Sequence, residues 1–273
     1  MTKIKNSCVL ITGGASGIGR IMGRMALEKG ARCLAIWDIN GEAVESTVAE
    51  FSALGDVKGY RVDVSDNDAV AETYARTRQE CGCVDILINC AGIVTGNKTF
   101  DRQSVDDIMR TMNINSIAPM VLSLQALPEM IARDSGHICN IASAAGMISN
   151  PKMSVYVASK WAVIGWSDSV RIELAQAHSH VRITTVAPYY INTGMFEGVH
   201  SRIFPILDPE RTSRKILRAI ERNRDFRGIP LSFHLIRFCQ GILPVSWFDF
   251  IFGRGFGIFS AMDNFTGRKP KKQ

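Results

Sequence analysis

A glycine-rich turn lies between an apolar run and an amphipathic segment near the amino terminus. The run Cys8–Thr12 predicts a buried strand, and the turn that follows opens a predicted helix. Gly13, Gly17 and Gly19 let the backbone turn tightly and approach a ligand closely. The free N–H groups at a helix start favour anions, so strand, turn and helix together predict a site for the phosphates of a nucleotide.

Apolar, β-branched runs alternate with amphipathic segments along the chain. Strands separated by helices form a parallel sheet, with helices on both faces. We therefore expect an α/β fold, a Rossmann-type doubly wound parallel sheet, in one domain spanning residues 1–273. The predicted strands are Cys8–Thr12, Arg32–Asp38, Lys58–Asp63, Asp85–Asn89, His137–Ile141 and Arg182–Ala187.

The composition favours a globular protein, because 46% of the residues are hydrophobic, 21% are charged and no low-complexity tract is present. Each uncharged apolar run is shorter than the roughly 18 residues that suggest a membrane span. The apolar run near the amino terminus enters the glycine turn without the cleavage pattern of a signal peptide. These observations lead us to expect a cytoplasmic protein, with peripheral contact to a membrane left open.

The seven cysteines are an odd number and lie mostly in apolar stretches, as buried, reduced thiols of a cytosolic protein do. The pair Cys81-Gly-Cys83 has the form of half a metal site. No second pair and no Cys/His cluster at zinc spacing accompanies it in the sequence, so we expect no metal. The seven are Cys8, Cys33, Cys81, Cys83, Cys90, Cys139 and Cys239.

An acidic residue ends the second predicted strand. Asp38 follows Gly19 by nineteen residues, where a carboxylate can accept hydrogen bonds from the ribose hydroxyls of a dinucleotide. A carboxylate also repels a 2′-phosphate, so NAD is predicted as the cofactor in preference to NADP. The alternative is that Asp38 caps the turn before Ile39-Asn-Gly.

A tyrosine and a lysine at helical spacing supply a proton-transfer pair. Tyr156 and Lys160 stand four residues apart, which puts a phenol and an ammonium on one helix face. The ammonium and the positive nicotinamide ring both favour the phenolate, so Tyr156 can accept an alcohol proton while hydride passes to NAD. Ser143 would hold the substrate oxygen, and Lys160 would also bind the nicotinamide ribose. Alone, the pair could equally be an exposed helix pair.

Over about residues 6–195 the chain resembles the short-chain dehydrogenase/reductase family. The glycine turn fits the family pattern TGxxxGxG, and Asn89-Cys-Ala-Gly92 fits its NNAG segment. The resemblance implies that Asn113, Ser143, Tyr156 and Lys160 are catalytic, with Asn113 positioning a water that links Lys160 to solvent. The cofactor-binding residues that it implies are Thr12, Gly13, Ser16, Gly17, Ile18, Gly19, Asp38, Asp63, Val64, Asn89, Ala91, Gly92, Tyr156, Lys160, Pro188, Ile191 and Thr193.

Two positions depart from the family pattern. Cys90 replaces the second asparagine of NNAG, which is tolerable if its side chain packs inward. Tyr189 stands where the family usually has glycine after proline, and tyrosine lacks the freedom of glycine at positive φ. Either the backbone differs there, or Tyr189 shapes the substrate pocket.

A narrower resemblance links the chain to the branch of this family that contains retinol dehydrogenase 10 and 17β-hydroxysteroid dehydrogenase 11. It rests on the segments 36–40, 191–198 and 204–210. It implies a hydrophobic alcohol or ketone as substrate, such as a retinoid, a steroid or a long-chain alcohol. Members of this branch often have an amino-terminal membrane anchor, which we do not expect here. The family also implies a homodimer or homotetramer, built on the helices that contain Asn113 and Tyr156.

The last quarter of the chain has a different character. Residues 201–273 contain fourteen Lys/Arg and six Asp/Glu, with aromatic clusters and a basic tail from Arg268. We expect about residues 200–273 to form a substrate lid and a hydrophobic, basic extension. The alternatives are an ordinary packed appendage, a membrane contact or a nucleic-acid site, and no nucleic-acid-binding motif supports the last.

Two other functions compete with an NAD-dependent alcohol dehydrogenase. The fold also supports a 3-oxoacyl thioester reductase or another carbonyl reductase, but the former normally uses NADPH, which Asp38 disfavours. A protein that senses NAD without turnover usually has a damaged Tyr/Lys pair. Here both residues are intact.

Overall fold

The computed structural model describes residues 1–95, 97–201, 204–263 and 265–267. Its strands form one seven-stranded sheet with the order β3-β2-β1-β4-β5-β6-β7, and every neighbouring pair is parallel. The strands are β1 (Cys8–Thr12), β2 (Cys33–Asp38), β3 (Val57–Arg61), β4 (Ile86–Asn89), β5 (His137–Ile141), β6 (Arg182–Pro188) and β7 (Phe226–Ile229).

Helices cover both faces of this sheet, which confirms the predicted doubly wound architecture. They are α1 (Gly17–Glu28), α2 (Gly41–Phe51), α3 (Asn67–Cys81), α4 (Val105–Met112), α5 (Ala118–Ala132), α6 (Ser154–Gln176), α7 (Pro209–Glu221), α8 (Phe233–Ile242) and α9 (Val245–Phe248). None of the helices in these ranges is both long and apolar enough to cross a bilayer.

Side chains alternate between two cores along each strand. Val9 and Ile11 of β1 pack into a cluster with α1, α2 and α7. Leu10 points the other way, into a cluster with α3, α5 and α6. Because both faces are buried, the strands need apolar residues at nearly every position, which is the continuous pattern seen in the sequence.

The strand order reverses between β1 and β4, so the loops after these strands separate at the carboxyl edge of the sheet. Such a switch point leaves a crevice in which ligands bind. The glycine turn follows β1 at this crevice, and Cys90-Ala-Gly92 follows β4. The topology therefore brings two of the predicted segments together, although 70 residues separate them in sequence.

Candidate active site

One cavity of about 310 Å³ lies along the carboxyl edge of the sheet. It is lined by residues of the glycine turn, the β4 loop, the start of α6 and the segment after β6. The predicted site residues that line it are Gly13, Ser16, Gly17, Ile18, Gly19, Asp38, Asp63, Val64, Ala91, Gly92, Ser143, Tyr156, Lys160, Pro188, Ile191 and Thr193. Thr12, Asn89 and Asn113 are predicted site residues that do not line it.

The glycine turn needs its glycines for two separate reasons. Gly13 and Gly17 have φ values of +65° and +53°, which side-chain-bearing residues rarely adopt. At Gly19 the limit is space, since a Cβ atom there would lie 2.2 Å from the carbonyl oxygen of Gly13. The turn is thus packed against its own backbone, and the wall of the cavity at this point is main chain.

Helix α1 begins at the cavity with unused hydrogen-bonding groups. Ser16 is the N-cap residue, and its hydroxyl makes no capping hydrogen bond. The first helical hydrogen bond of α1 runs from the N–H group of Arg20 to the carbonyl of Ser16. The N–H groups of Gly17, Ile18 and Gly19 lie before it, as the first N–H groups of any helix do. The first turn has no acidic side chain. These groups suit an anion such as a phosphate.

Asp38 is fixed at the end of β2 by two backbone N–H groups. Its Oδ2 accepts a hydrogen bond from Ala15 at 3.2 Å, and its Oδ1 accepts one from Asn40, also at 3.2 Å. The carboxylate lines the cavity beside the glycine turn. The turn-capping alternative and the ligand role are therefore compatible, because each carboxylate oxygen has a second lone pair.

Thr12 and Asn89 have a different position from the one expected, since both are buried behind the cavity wall. Thr12 Oγ1 accepts hydrogen bonds from the N–H groups of Cys90 and Ala91, at 3.0 and 3.1 Å. This ties the β4 loop to β1. Asn89 Nδ2 donates to Asn140 Oδ1 at 2.8 Å and joins β4 to β5. Both side chains hold the site together instead of lining it.

The proton-transfer pair lies on the first turns of α6, with both side chains buried. Lys160 Nζ stands 5.7 Å from the centre of the Tyr156 ring and donates a hydrogen bond to the carbonyl of Ile141 at 3.0 Å. Burial raises the pKa of Tyr156 to about 12, and a hydrogen bond with Ser143 acts in the opposite direction. Burial lowers the pKa of Lys160 to about 8. The pair is therefore desolvated and responsive to any added charge.

The structure brings Asn115, not Asn113, beside this pair. Asn113 is half-buried and makes no side-chain hydrogen bond within the described ranges. Asn115 is 1% exposed and bonds to both the N–H and the carbonyl of Ile93, at 2.8 and 2.9 Å. A Cβ atom on Gly92 would lie 3.3 Å from Asn115 Oδ1 and 3.7 Å from Lys160 Nζ. The selection of Asn113 as the asparagine next to Lys160 is therefore wrong.

A π-helical turn explains this error. Residues Asn113–Ile117 form a π-helix between α4 and α5, which shifts the face that each residue presents. Asn115 Nδ2 donates to Ser159 Oγ at 3.1 Å, and Ser159 Oγ donates to the carbonyl of Tyr156 at 2.7 Å. Asn115 thus links the β4 loop to the helical turn that contains Tyr156 and Lys160. Asn115 and Ser116 are the buried polar residues of this turn, and sequence spacing alone does not show this.

Beyond Tyr156 the cavity becomes apolar. The Tyr156 ring meets Phe196 edge to face, with centroids 6.1 Å apart, and Phe196 meets Tyr190 at 5.0 Å. Met153, Phe204, Phe233 and Ile258 also line this part. Such a lining suits a hydrophobic ligand, with the polar groups confined to one end.

The two departures from the family pattern have clear structural outcomes. Tyr189 lies outside the positive-φ region, so its position does not require glycine. Its hydroxyl donates to Ser201 Oγ at 2.9 Å and its ring packs on Phe233, so Tyr189 shapes the cavity wall. Cys90 packs against the core on the α1 side of the sheet, which meets the condition for tolerating it, and it also lines the cavity.

Comparisons with known proteins agree with this geometry. The family model for short chain dehydrogenases matches residues 7–203. Epidermal retinol dehydrogenase 2 of Mus musculus is 37% identical, over 98% of this chain and 88% of its own. Retinol dehydrogenase 10-B of Danio rerio is 32% identical, over 88% and 79%. Human estradiol 17-beta-dehydrogenase 11 is 31% identical, over 88% and 80%.

A solved structure confirms the fold. The short chain dehydrogenase/reductase of Burkholderia phymatum in complex with NAD matches with a TM-score of 0.76 and 24% identity, over 88% of this chain and 95% of its own. The relatives include both enzymes named in the branch that the sequence resembles, which confirms that resemblance. The chain belongs to the short-chain dehydrogenase family and is an oxidoreductase acting on alcohol or carbonyl groups.

Proposed function

We propose that the protein is an NAD-dependent oxidoreductase that interconverts a hydrophobic alcohol and its carbonyl compound. The shape of the cavity is the main support for this proposal. A single cavity joins a glycine turn and Asp38 at one end to Tyr156, Lys160 and an apolar pocket at the other. This arrangement supports binding of a dinucleotide and of an apolar substrate in one continuous site.

The residues present fit NAD on structural grounds. A Cβ atom at Gly13 would meet the Ala91 backbone at 3.0 Å, so glycine at this position lets the turn pack against the β4 loop, and both segments line the cavity. The Ser16 hydroxyl and the N–H groups at the start of α1 suit its charge. Asp38 suits a ribose diol, while Thr193, which a Cβ atom on Gly17 would meet at 3.7 Å, lines the same cavity and suits the carboxamide. When bound, NAD supplies the hydride acceptor for alcohol oxidation.

Side chains of the protein transfer the proton of the alcohol. The Tyr156 phenolate accepts the proton of the alcohol hydroxyl and becomes the phenol, and the Ser143 hydroxyl donates a hydrogen bond to the same oxygen as the carbonyl forms. Lys160 stabilises the phenolate by charge and holds a ribose hydroxyl. Asn115 keeps Ile93 and Ser159 in place around this pair. In carbonyl reduction the same phenol returns the proton.

The substrate class follows from the apolar half of the cavity and from the relatives. The wall formed by Met153, Phe196, Phe204, Phe233 and Ile258 offers few hydrogen-bonding groups to a substrate. Two relatives bear the names of retinol dehydrogenases and a third that of an estradiol dehydrogenase. A retinoid, a steroid or a long-chain alcohol therefore fits this chain better than a short polar alcohol.

The test is NADH formation by the purified protein with retinol, a steroid diol and alcohols of increasing chain length. Activity should increase with chain length and be at least about 100-fold lower in Tyr156→Phe. An enzyme active only on 3-oxoacyl thioesters would instead favour the reductase alternative. An intact, NAD-binding protein that turns over none of these compounds would favour the sensing alternative.

Asp38 gives a separate test of cofactor choice. Replacing Asp38 with Ala removes the ribose hydrogen bonds and the repulsion of a 2′-phosphate, so the ratio of kcat/KM for NAD to that for NADP should fall about tenfold or more. Glu42, an exposed acid at the start of α2, provides the control variant Glu42→Ala. A wild type that already prefers NADP would contradict this role of Asp38.

We also propose that a surface on the last quarter of the chain contacts an anionic membrane. Its side chains recur at steps of two to four residues from just before α8 through the turns after it, on the side facing away from the core. We call the following set the C-terminal surface: Leu231, Leu235, Phe238, Ile242, Val245, Trp247 and Phe250, each between 56% and 77% exposed. Arg237 and Arg254 lie exposed among them.

A lipid surface suits this set better than water does. The opposite side of α8 is already used, since Phe233 and Ile236 are at most 4% exposed and pack in the core. Phe233 also lines the cavity, so α8 separates the substrate pocket from the C-terminal surface. An apolar substrate dissolved in lipid would thus be close to its pocket. The basic tail from Arg268 lies outside the described residues.

Flotation with anionic liposomes tests the membrane contact, and the chain offers a matched control. Phe238 and Phe100 are each 64% exposed, but Phe100 lies outside the C-terminal surface. Phe238→Glu should abolish flotation at low salt, whereas Phe100→Glu should leave it unchanged. If the wild type does not float, or if Phe238→Glu halves the molar mass by light scattering, the surface is not a membrane contact.

We infer a homodimer or homotetramer from a second apolar area on α4, α5 and α6. Met109, Leu124 and Trp161 are 53%, 68% and 44% exposed. Subunit interfaces bury such side chains. Light scattering on the wild type and on Leu124→Glu tests this, and a monomeric wild type would contradict it.

A further inference from the structure

Three cysteine side chains converge at the amino edge of the sheet, away from the cavity. Cys8 begins β1, Cys33 begins β2 and Cys81 ends α3. Cys8 and Cys33 are partners in the register of neighbouring parallel strands, so both side chains leave the same face. The three sulfur atoms all lie within 4.8 Å of one another.

This cluster differs from the other cysteines of the chain. Its members are 0%, 1% and 3% exposed, and they form the one convergent group of three metal-ligand side chains in the described ranges. Cys83 takes no part in it and donates to Glu129 Oε1 at 3.0 Å. A single buried cysteine packs as a small hydrophobe, and Cys139 shows this behaviour. Three sulfurs arriving from three elements create a ligand set that no sequence spacing indicates.

We propose that Cys8, Cys33 and Cys81 bind one monovalent copper ion. Sulfur ligands select soft ions, chiefly Cu(I) and Zn(II). Structural zinc is almost always four-coordinate, and this cluster has no fourth cysteine or histidine among the described residues. Cu(I) accepts three thiolates. With a metal–sulfur distance of about 2.3 Å, a planar three-coordinate site needs sulfurs about 4 Å apart, which the observed spacing permits.

Two basic residues, Arg32 and Lys58, lie beside the cluster, each in an ion pair with an aspartate. Binding replaces three S–H bonds with three Cu–S bonds, releases three protons and leaves the oxidation state of copper unchanged. Arg32 Nη1 donates to the carbonyl of Cys81 at 2.8 Å, and Lys58 Nζ stands 3.2 Å from Asp56 Oδ1. The Tyr60 hydroxyl stands 3.8 Å from Cys81 Sγ and donates its proton to Glu80 Oε2 at 2.9 Å. The site would brace β1, β2 and α3 at the edge opposite the cofactor.

Anaerobic titration with Cu(I) against a chromophoric Cu(I) chelator tests the proposal without any enzyme assay. The wild type should hold one equivalent in competition with the chelator, and X-ray absorption should show three sulfur neighbours. Cys81→Ala should lower the affinity at least about tenfold. The control Cys83→Ala, which removes a thiol two residues away, should bind as the wild type does.

Two results would overturn the proposal. One is a wild type that holds no Cu(I) against the chelator, and the other is a Cys81→Ala variant that holds it as tightly as the wild type. Cys81 is at the end of a helix, and circular dichroism will show whether the single variant folds. If it does not, Cys33→Ser, which keeps a side chain of similar size, takes its place. Affinity for NAD should be the same with and without copper, so the outcome is independent of the proposed catalytic function.

Discussion

The carboxyl edge of the sheet and the C-terminal surface reverse the usual distribution of polar and apolar groups. At the sheet edge, Asn115 and Lys160 are polar yet at most 5% exposed, and each is hydrogen-bonded. On the C-terminal surface, Phe238 and Trp247 are apolar yet 64% exposed. Buried polar groups are retained where their geometry is used, and exposed apolar groups where something covers them.

The two regions consequently have different roles. The first fixes atoms, because a network from Ile93 through Asn115 and Ser159 to Tyr156 leaves little freedom at the proton-transfer pair. The C-terminal surface offers exposed apolar area without a fixed arrangement of atoms. Variants in the first region should change rate constants with every substrate, whereas variants in the second should change only how a lipid-borne substrate arrives.

The largest effect is expected at the proton-transfer pair. Tyr156→Phe removes the ionisable oxygen and should lower kcat about 10²–10⁴-fold, while the Kd for NAD stays within about twofold of the wild type. Lys160→Ala should lower kcat and also weaken NAD binding, because Lys160 serves both. Stopped-flow kinetics and fluorescence titration separate the two. A Tyr156→Phe enzyme with near wild-type kcat would place the proton acceptor elsewhere.

The two asparagines of the π-helical turn should differ sharply. Asn115→Ala breaks the link between Ile93 and Ser159 and should lower kcat by up to about 100-fold through misplacement of Tyr156. Asn113→Ala, two residues away, should change kcat little. The pH profile of kcat should also shift in Asn115→Ala, which a loss of stability alone would not produce. Equal losses in both variants would show that Asn115 has no special position.

The pH dependence should differ between the two directions of the reaction. Burial raises the pKa of Tyr156 to about 12, so at neutral pH its phenol is protonated. Oxidation needs the phenolate, whose fraction grows as pH rises, so kcat/KM for the alcohol should increase by up to about tenfold per pH unit from pH ~6 to ~8. Reduction needs the phenol and should not gain. An oxidation rate that falls as pH rises would contradict this role.

The smallest effect is expected from the C-terminal surface. With a water-soluble short-chain substrate, Phe238→Glu should change kcat/KM by less than about twofold, because the side chain points away from the cavity. With a retinoid supplied in anionic liposomes, the same variant should lose most of its rate. A large loss of kcat/KM with the soluble substrate would show that the two regions are coupled and do not have separate roles.

Most of the sheet-edge site can be predicted from sequence because its constraints are local. The glycine turn and the Tyr156/Lys160 pair depend on spacing within one turn or one helix. Asn115 could not be selected over Asn113, because a π-helical turn changes the face without a distinct residue pattern. Thr12 and Asn89 match the family pattern but serve the cavity wall from behind.

Elements that depend on tertiary contacts were less predictable. Strand β7 has only four residues, with Arg227 and Gly228 in its middle, so its sequence lacks the apolar run that predicts the other strands. The convergence of Cys8, Cys33 and Cys81 arises from strand register and from the end of a helix 48 residues later. The exposure of one face of α8 could not be read either, since apolar residues occupy both of its faces.

An alcohol substrate deuterated at its carbinol carbon shows whether hydride passes directly to NAD in this cavity. If the cavity aligns the alcohol with NAD while Tyr156 removes the hydroxyl proton, each NADH formed should contain one deuterium by mass spectrometry. The wild type should also show a kinetic isotope effect on kcat/KM. NADH without deuterium, formed at the wild-type rate, would contradict direct transfer at this site and with it the proposed function.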